Sequence, residues 1–207
     1  MSKVLLINGS PHENGCTYTA LKELEKTLQD RGIETELFQI GRKPVSGCIA
    51  CGYCGKNGKC VIDDELNGIL SRLDEFDGIV AGSPVYYSGP SAQLCAFLDR
   101  LFYAGGDKMA GKLAASVVSC RRGGATAAFE RLNQYFLMSN MAVVGSQYWN
   151  QVHGKCPEDV EKDLEGLQTM RTLGENMAWL LKCIEAGRRS GVAEPEYEKR
   201  TPTNFIM

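Results

Sequence analysis

Short apolar runs alternate with helix-period segments along residues 3–145, and this alternation restricts the fold more than any other feature of the chain. Residues 3–7 form an apolar run ending in Asn8-Gly9-Ser10-Pro11, the pattern of a buried parallel strand that feeds a turn. Residues 17–30 place Leu21, Leu24 and Leu28 at helical spacing and stop at Arg31-Gly32. Further strands are expected over 34–40, 78–83, 113–119 and 141–145, with helices over 63–73, 91–102 and 125–138. The segment 41–60, rich in Gly and Cys, reads as loop. A long helix is expected over 158–186, with Val160, Leu164, Leu167, Met177, Leu180, Leu181 and Ile184 as its apolar positions. The tail, 190–207, is polar, with two prolines and then Phe205-Ile206.

Strands that alternate with helices form a parallel sheet covered on both faces. Five of them in this length suit a three-layer α/β fold of flavodoxin-like order 2-1-3-4-5, with ligands at the carboxyl ends of the strands. The 207 residues fit one domain, 1–207, carrying a Cys-rich insertion at 41–62 and a C-terminal helix plus tail at 158–207. A net charge of −2 and a pI near 5.8 exclude the strongly basic surface that a nucleic-acid partner needs. No apolar run approaches the roughly 20 residues of a membrane span. The N-terminal apolar stretch is short and runs into a turn, unlike a signal peptide. A cytoplasmic protein without membrane contact is expected, in which nine cysteines stay reduced or bind metal.

The loops after strands one, three and four are chemically unusual. The first, 9–17, joins a strand to a helix N-terminus and contains Ser10, His12, Asn14, Gly15, Cys16 and Thr17 but no Lys or Arg. It matches neither a Walker loop nor a dinucleotide fingerprint. Backbone N–H groups, hydroxyls and the helix dipole there suit a monophosphate, such as the one on FMN. A plain strand-to-helix turn is the structural alternative. The second loop contains Pro84, Val85, Tyr86, Tyr87, Ser88 and Gly89, a stiff segment with two tyrosines able to lie against a planar ring or to pack inward. The third contains Ser119, Arg121, Arg122, Gly123 and Gly124; its cations suit developing negative charge, or else are simply solvated. Cys16 and Cys120 read as small packing residues, because no base lies at a recognisable spacing. His153 reads as a surface-loop residue.

Cys48, Cys51, Cys54 and Cys60 follow the spacing C-x2-C-x2-C-x5-C. Four thiols in a loop with Gly47, Gly52, Gly55 and Gly58 have the capacity to ligate a [4Fe-4S] cluster, with Lys56 and Lys59 offsetting its negative charge. Structural zinc and free thiols remain open; zinc more often uses two separated C-x2-C pairs.

Taken together, these loops resemble the NAD(P)H-dependent FMN reductases of the flavodoxin-like superfamily, in particular their iron–sulfur flavoprotein branch. The segments that carry the resemblance are Asn8–Pro11, the Cys48–Cys60 motif with Asp63-Asp64, the Gly82–Tyr87 run, Phe97-Leu98-Asp99-Arg100 and Thr203–Ile206. Relatives often carry Lys where this chain has Cys95. The resemblance implies FMN, its phosphate on the first loop and its ring beside the second and third, and it favours the cluster for the four cysteines. It also implies hydride transfer from NAD(P)H with no side-chain acid or base required, a small acceptor such as a quinone or flavin, ferredoxin as an alternative electron source, and a homodimer or homotetramer. A non-catalytic electron carrier is the rival reading, and a zinc-stapled adaptor a third.

Overall fold

The computed structural model describes residues 2–199, 201, 203 and 205. In chain order it comprises β1 (Lys3–Asn8), α1 (Cys16–Asp30), β2 (Glu34–Gln39), α2 (Tyr53–Asn57), α3 (Glu65–Leu70), β3 (Gly78–Pro84), α4 (Ala92–Gly105), β4 (Leu113–Cys120) and α5 (Ala125–Met138). Then follow β5 (Ala142–Val143), β6 (Gln151–His153), α6 (Pro157–Val160) and α7 (Leu164–Arg189). The sheet is parallel, in the order β2-β1-β3-β4-β5, with β6 also on β4.

β1 shows why its sequence does not alternate. Val4 and Leu6 pack with α1 and α7, while Leu5 and Ile7 pack with α3, α4 and α5, and all four are fully buried. Complete burial of such a side chain contributes about 1.5–3 kcal/mol, so a strand covered on both faces gains from an unbroken apolar run. The flavodoxin-like order expected from the sequence is present.

Three expectations are corrected. The strand expected over 141–145 pairs only through Ala142–Val143, beside Leu113 and Ala114. The chain then leaves the edge and returns as β6, whose Gln151–His153 pair with Val118–Cys120. The helix expected over 158–186 starts instead at Leu164, after the separate turn α6. Asp163 causes the break: its carboxylate accepts from Gly166 N at 2.9 Å and caps the new helix, leaving Leu164 74% exposed. The segment read as loop contains α2, set between Gly52 (φ 68°) and Gly58 (φ 64°), both left-handed. Phe205 is exposed, and Ile206 lies outside the described residues. Among the described residues, no helix is long and apolar enough to cross a membrane.

Candidate functional site: three interlocked loops and a cysteine-lined hollow

The carboxyl ends of β1, β3 and β4 bring the first three loops together. Buried Asn8 closes β1, donating from Nδ2 to Gln39 Oε1 at 2.6 Å and accepting from Ser10 N at 3.1 Å. Gln39 Nε2 donates to Ser10 O at 2.7 Å, so two amide side chains clamp the start of the first loop. Ser10 Oγ accepts from His12 N at 3.1 Å, which leaves its hydroxyl proton able to donate. The loop lies flat on its neighbours: a Cβ on Gly9 would come within 2.7 Å of the Leu94 side chain and 2.9 Å of Gly82 O. At the start of α1, Gly15 offers no side-chain cap and the first turn contains no acid. The helix end therefore presents N–H groups and partial positive charge, a setting that suits an anion.

Thr17, assigned from sequence to a phosphate, bonds through its hydroxyl to a second residue of the expected site. Its Oγ1 lies 2.8 Å from Ser119 Oγ, with both hydroxyls buried, so this bond ties α1 to the end of β4. His12 and Asn14 are exposed on the loop, and Cys16 is half-buried with its Sγ donating to Gly154 O at 3.7 Å.

In the second loop, Val85 N donates to Ser119 O at 3.0 Å, and Tyr86 and Gly89 exchange both backbone hydrogen bonds at 2.9 Å. The two residues between them, Tyr87 (φ 48°) and Ser88 (φ 63°), are both left-handed. That geometry normally selects Asn-Gly, and side-chain-bearing residues there cost about 1–2 kcal/mol each. The turn holds Tyr87 fully exposed and Tyr86 partly so. Ser91 Oγ donates to Gly9 O at 2.6 Å and caps α4, joining this loop to the first.

The third loop rests on the second. Gly124 has φ 88°, and a Cβ there would sit 2.9 Å from Ser88 Cα and 3.1 Å from Val85 Cγ1. Exposed Arg121 and Arg122 line a hollow with Val85, Cys120 and Gly123. A fourth segment, missed in the sequence, joins them through β6. His153 Nδ1 lies 3.5 Å from Cys120 Sγ, and Asp163 holds His153 N at 2.6 Å. Burial pushes the Cys16 and Cys120 thiols above their ordinary range, which agrees with packing roles and not with poised nucleophiles.

The four motif cysteines line one hollow, together with Ile49, Arg100 and Tyr103. Among the described residues, no three His, Cys, Asp or Glu side chains converge as a single-ion site. Four thiols around one hollow are nonetheless a donor set of the chemistry that a four-iron cluster would take, one thiolate at each iron.

The site thus sits at the carboxyl ends of the parallel strands, where ligands of this fold class gather, and joins an anion-ready helix terminus to two further interlocked loops. Residues 2–155 match the NADPH-dependent FMN reductase family model, and the chain belongs to that family. An iron–sulfur flavoprotein of Methanocaldococcus jannaschii is 36% identical over 193 residues, covering 88% of this chain and 99% of the relative. A second, from Archaeoglobus fulgidus, is 31% identical over 193 residues, covering 86% and 97%. Two solved structures share the fold. A flavone reductase superposes with TM-score 0.69 at 18% identity, over 88% of this chain and 64% of that one. NAD(P)H:quinone oxidoreductase from Methanothermobacter marburgensis superposes with TM-score 0.64 at 15% identity, over 85% and 94%.

Proposed function

We propose that the protein binds FMN in its three interlocked loops and passes electrons from NAD(P)H to a small acceptor such as a quinone or a free flavin. The uncapped N-terminus of α1 beside the Ser10 hydroxyl carries the reading, since it offers donors and its first turn contains no acid. Asn14 and the Gly15–Thr17 backbone complete that cradle, while Tyr86, Tyr87 and Gly123-Gly124 flank the ring. When bound, FMN supplies hydride acceptance and release of electrons singly or in pairs. Arg121 and Arg122 then act by charge, favouring negative charge on the reduced ring. The chain works as one domain, in the cytoplasm, as a homodimer or homotetramer; light scattering at the monomer mass of 22.7 kDa would refute the assembly.

The phosphate assignment is tested by Ser10→Ala. The variant should weaken FMN by roughly 10–150-fold, the scale of a hydrogen bond to a charged group, and leave riboflavin nearly unchanged. Equal losses for both would refute it. The donor is tested by NAD(P)H oxidation with FMN and a quinone. An electron carrier, the second reading, would show none and would instead be reduced by ferredoxin.

Cys48, Cys51, Cys54 and Cys60 are further proposed to hold a [4Fe-4S] cluster. Their shared hollow and the left-handed Ala50, Gly52 and Gly58 that bend the chain around it support this reading. Protein reconstituted under argon should contain roughly four irons and four sulfides per chain.

A further inference from the structure

Arg100, on α4, is the bulkiest of the fully buried side chains among the described residues. A guanidinium taken out of water requires a partner for its charge and its N–H groups. Asp64 supplies the charge, accepting from Nη1 at 2.6 Å and Nη2 at 2.8 Å in a bidentate pair. The remaining bonds all go to the cysteine segment. Nη1 donates to Ser46 O at 3.3 Å, Nη2 to Ile62 O at 3.1 Å, and Nε to Cys60 Sγ at 3.3 Å. Ser46 lies just before Cys48 and Ile62 just after Cys60, so one side chain grips both ends of the segment that carries the four thiols. Asn67 holds the same point from the other side. Its Oδ1 accepts from Cys60 N at 2.8 Å, and its Nδ2 donates to Cys60 O at 3.1 Å. Cys60 is thus fixed through its backbone N–H, its carbonyl and its sulfur, whereas Cys48 and Cys51 stand exposed.

We infer that Arg100 is a positioning residue for the cysteine hollow, fixing Cys60 as the anchoring ligand and raising the reduction potential of what the four thiols hold. The inference rests on the cluster reading above. A ligand ordered in advance removes entropy that loading would otherwise have to overcome. An N–H donor on a ligating sulfur stabilises the more negative, reduced state, which moves the potential upward.

The test compares wild type, Arg100→Lys and Arg100→Met, each reconstituted with FMN, ferrous iron and sulfide under argon. Iron and acid-labile sulfide per chain, iron loss to a chelator, and the cluster midpoint potential are measured, with FMN content and thermal melting as fold controls. Both variants should lose iron to the chelator about tenfold faster or more, the scale of a lost outer-shell partner. Whatever cluster they retain should titrate at lower potential, which loosened packing alone would not produce in both. If Arg100→Met fails to fold, Arg100→Lys and a measurement on wild type decide. In 15N-arginine-labelled wild type, one Nε–H resonance should show a hyperfine shift on loading. Wild type without iron overturns the cluster reading and the inference with it. Wild type with iron, but with variants equal to it in chelator resistance and potential or with no shifted Nε–H, overturns the inference alone.

Discussion

Replacing Gly124 by alanine probes the contact between the second and third loops, and neighbouring Gly123 provides a matched control. Gly124 sits at φ 88°, where a side-chain-bearing residue costs about 1–2 kcal/mol. Its new methyl would also lie 2.9 Å from the Ser88 Cα. That atom has little freedom to retreat, because Tyr86 and Gly89 lock the turn with two backbone hydrogen bonds. Overpacking of this kind costs about 1–3 kcal/mol. Reduced freedom of the unfolded chain returns about 0.4–1 kcal/mol. The net loss is about 1–5 kcal/mol, and at about 2–4 °C per kcal/mol for a chain of this size, Tm should fall by about 2 °C or more. Gly123 has φ outside the left-handed region and nothing within 4 Å of its Cβ position. Gly123→Ala should therefore stay within about 0.5 kcal/mol of wild type. Melting of the apoproteins by circular dichroism gives the comparison, and quenching of flavin fluorescence shows whether a displaced Ser88 also weakens FMN. Equal melting temperatures for wild type and Gly124→Ala, or an equal fall for Gly123→Ala, would refute the reasoning.

Two further predictions concern residues around the sheet. Glu36 accepts from the Arg72 guanidinium and pairs with Lys3 at 2.9 Å, which lowers its pKa to about 2. A lowered folded pKa means stability that is present above the ordinary carboxylate range and is lost as pH falls. The gap between wild type and Glu36→Gln, about 1 kcal/mol or less for so exposed a pair, should close between pH 4.5 and about 2 in acid-unfolding curves; a constant gap would contradict the assignment. Thr17→Val and Ser119→Ala should each cost about 1–3 kcal/mol in denaturant melts by leaving one buried hydroxyl alone, while the double variant should cost less than their sum. Strict additivity would mean that the two hydroxyls do not depend on each other.

The layered sheet was readable from sequence because β1, β3 and β4 are buried on both faces and had to be continuous apolar runs. The edge was not. β6 reads Gln-Val-His, with no apolar run, and exists because the outer backbone groups of Val118–Cys120 need partners. The helix break at Asp163 carried a capping signal, but Leu164 fitted the apolar stripe well enough to hide it. The site loops were legible as segments, since ligands gather at the carboxyl ends of parallel strands. Their mutual bonds were not. Thr17 with Ser119, Gly124 with Ser88, and Arg100 with Cys60 are joined by tertiary folding across long stretches of chain, and no spacing rule encodes such pairs. Arg100 stood in a recognised motif, yet its five donors acquire meaning only once both flanks of the cysteine segment arrive beside α4.

The two faces of the sheet close at different moments of synthesis. One is covered by α3, α4 and α5, which emerge interleaved with the strands they shield. On the other face, α1 is joined by α7, the last long element, whose Met170, Leu173 and Met177 complete the core around Leu24, Leu28 and Val80. Until residues beyond 164 leave the ribosome, that apolar surface faces water while the opposite side is already dry. A nascent chain stalled in this window would be a strong client for chaperones that bind exposed aliphatic surface, and truncations ending before α7 should accumulate as aggregates even with all the strands made.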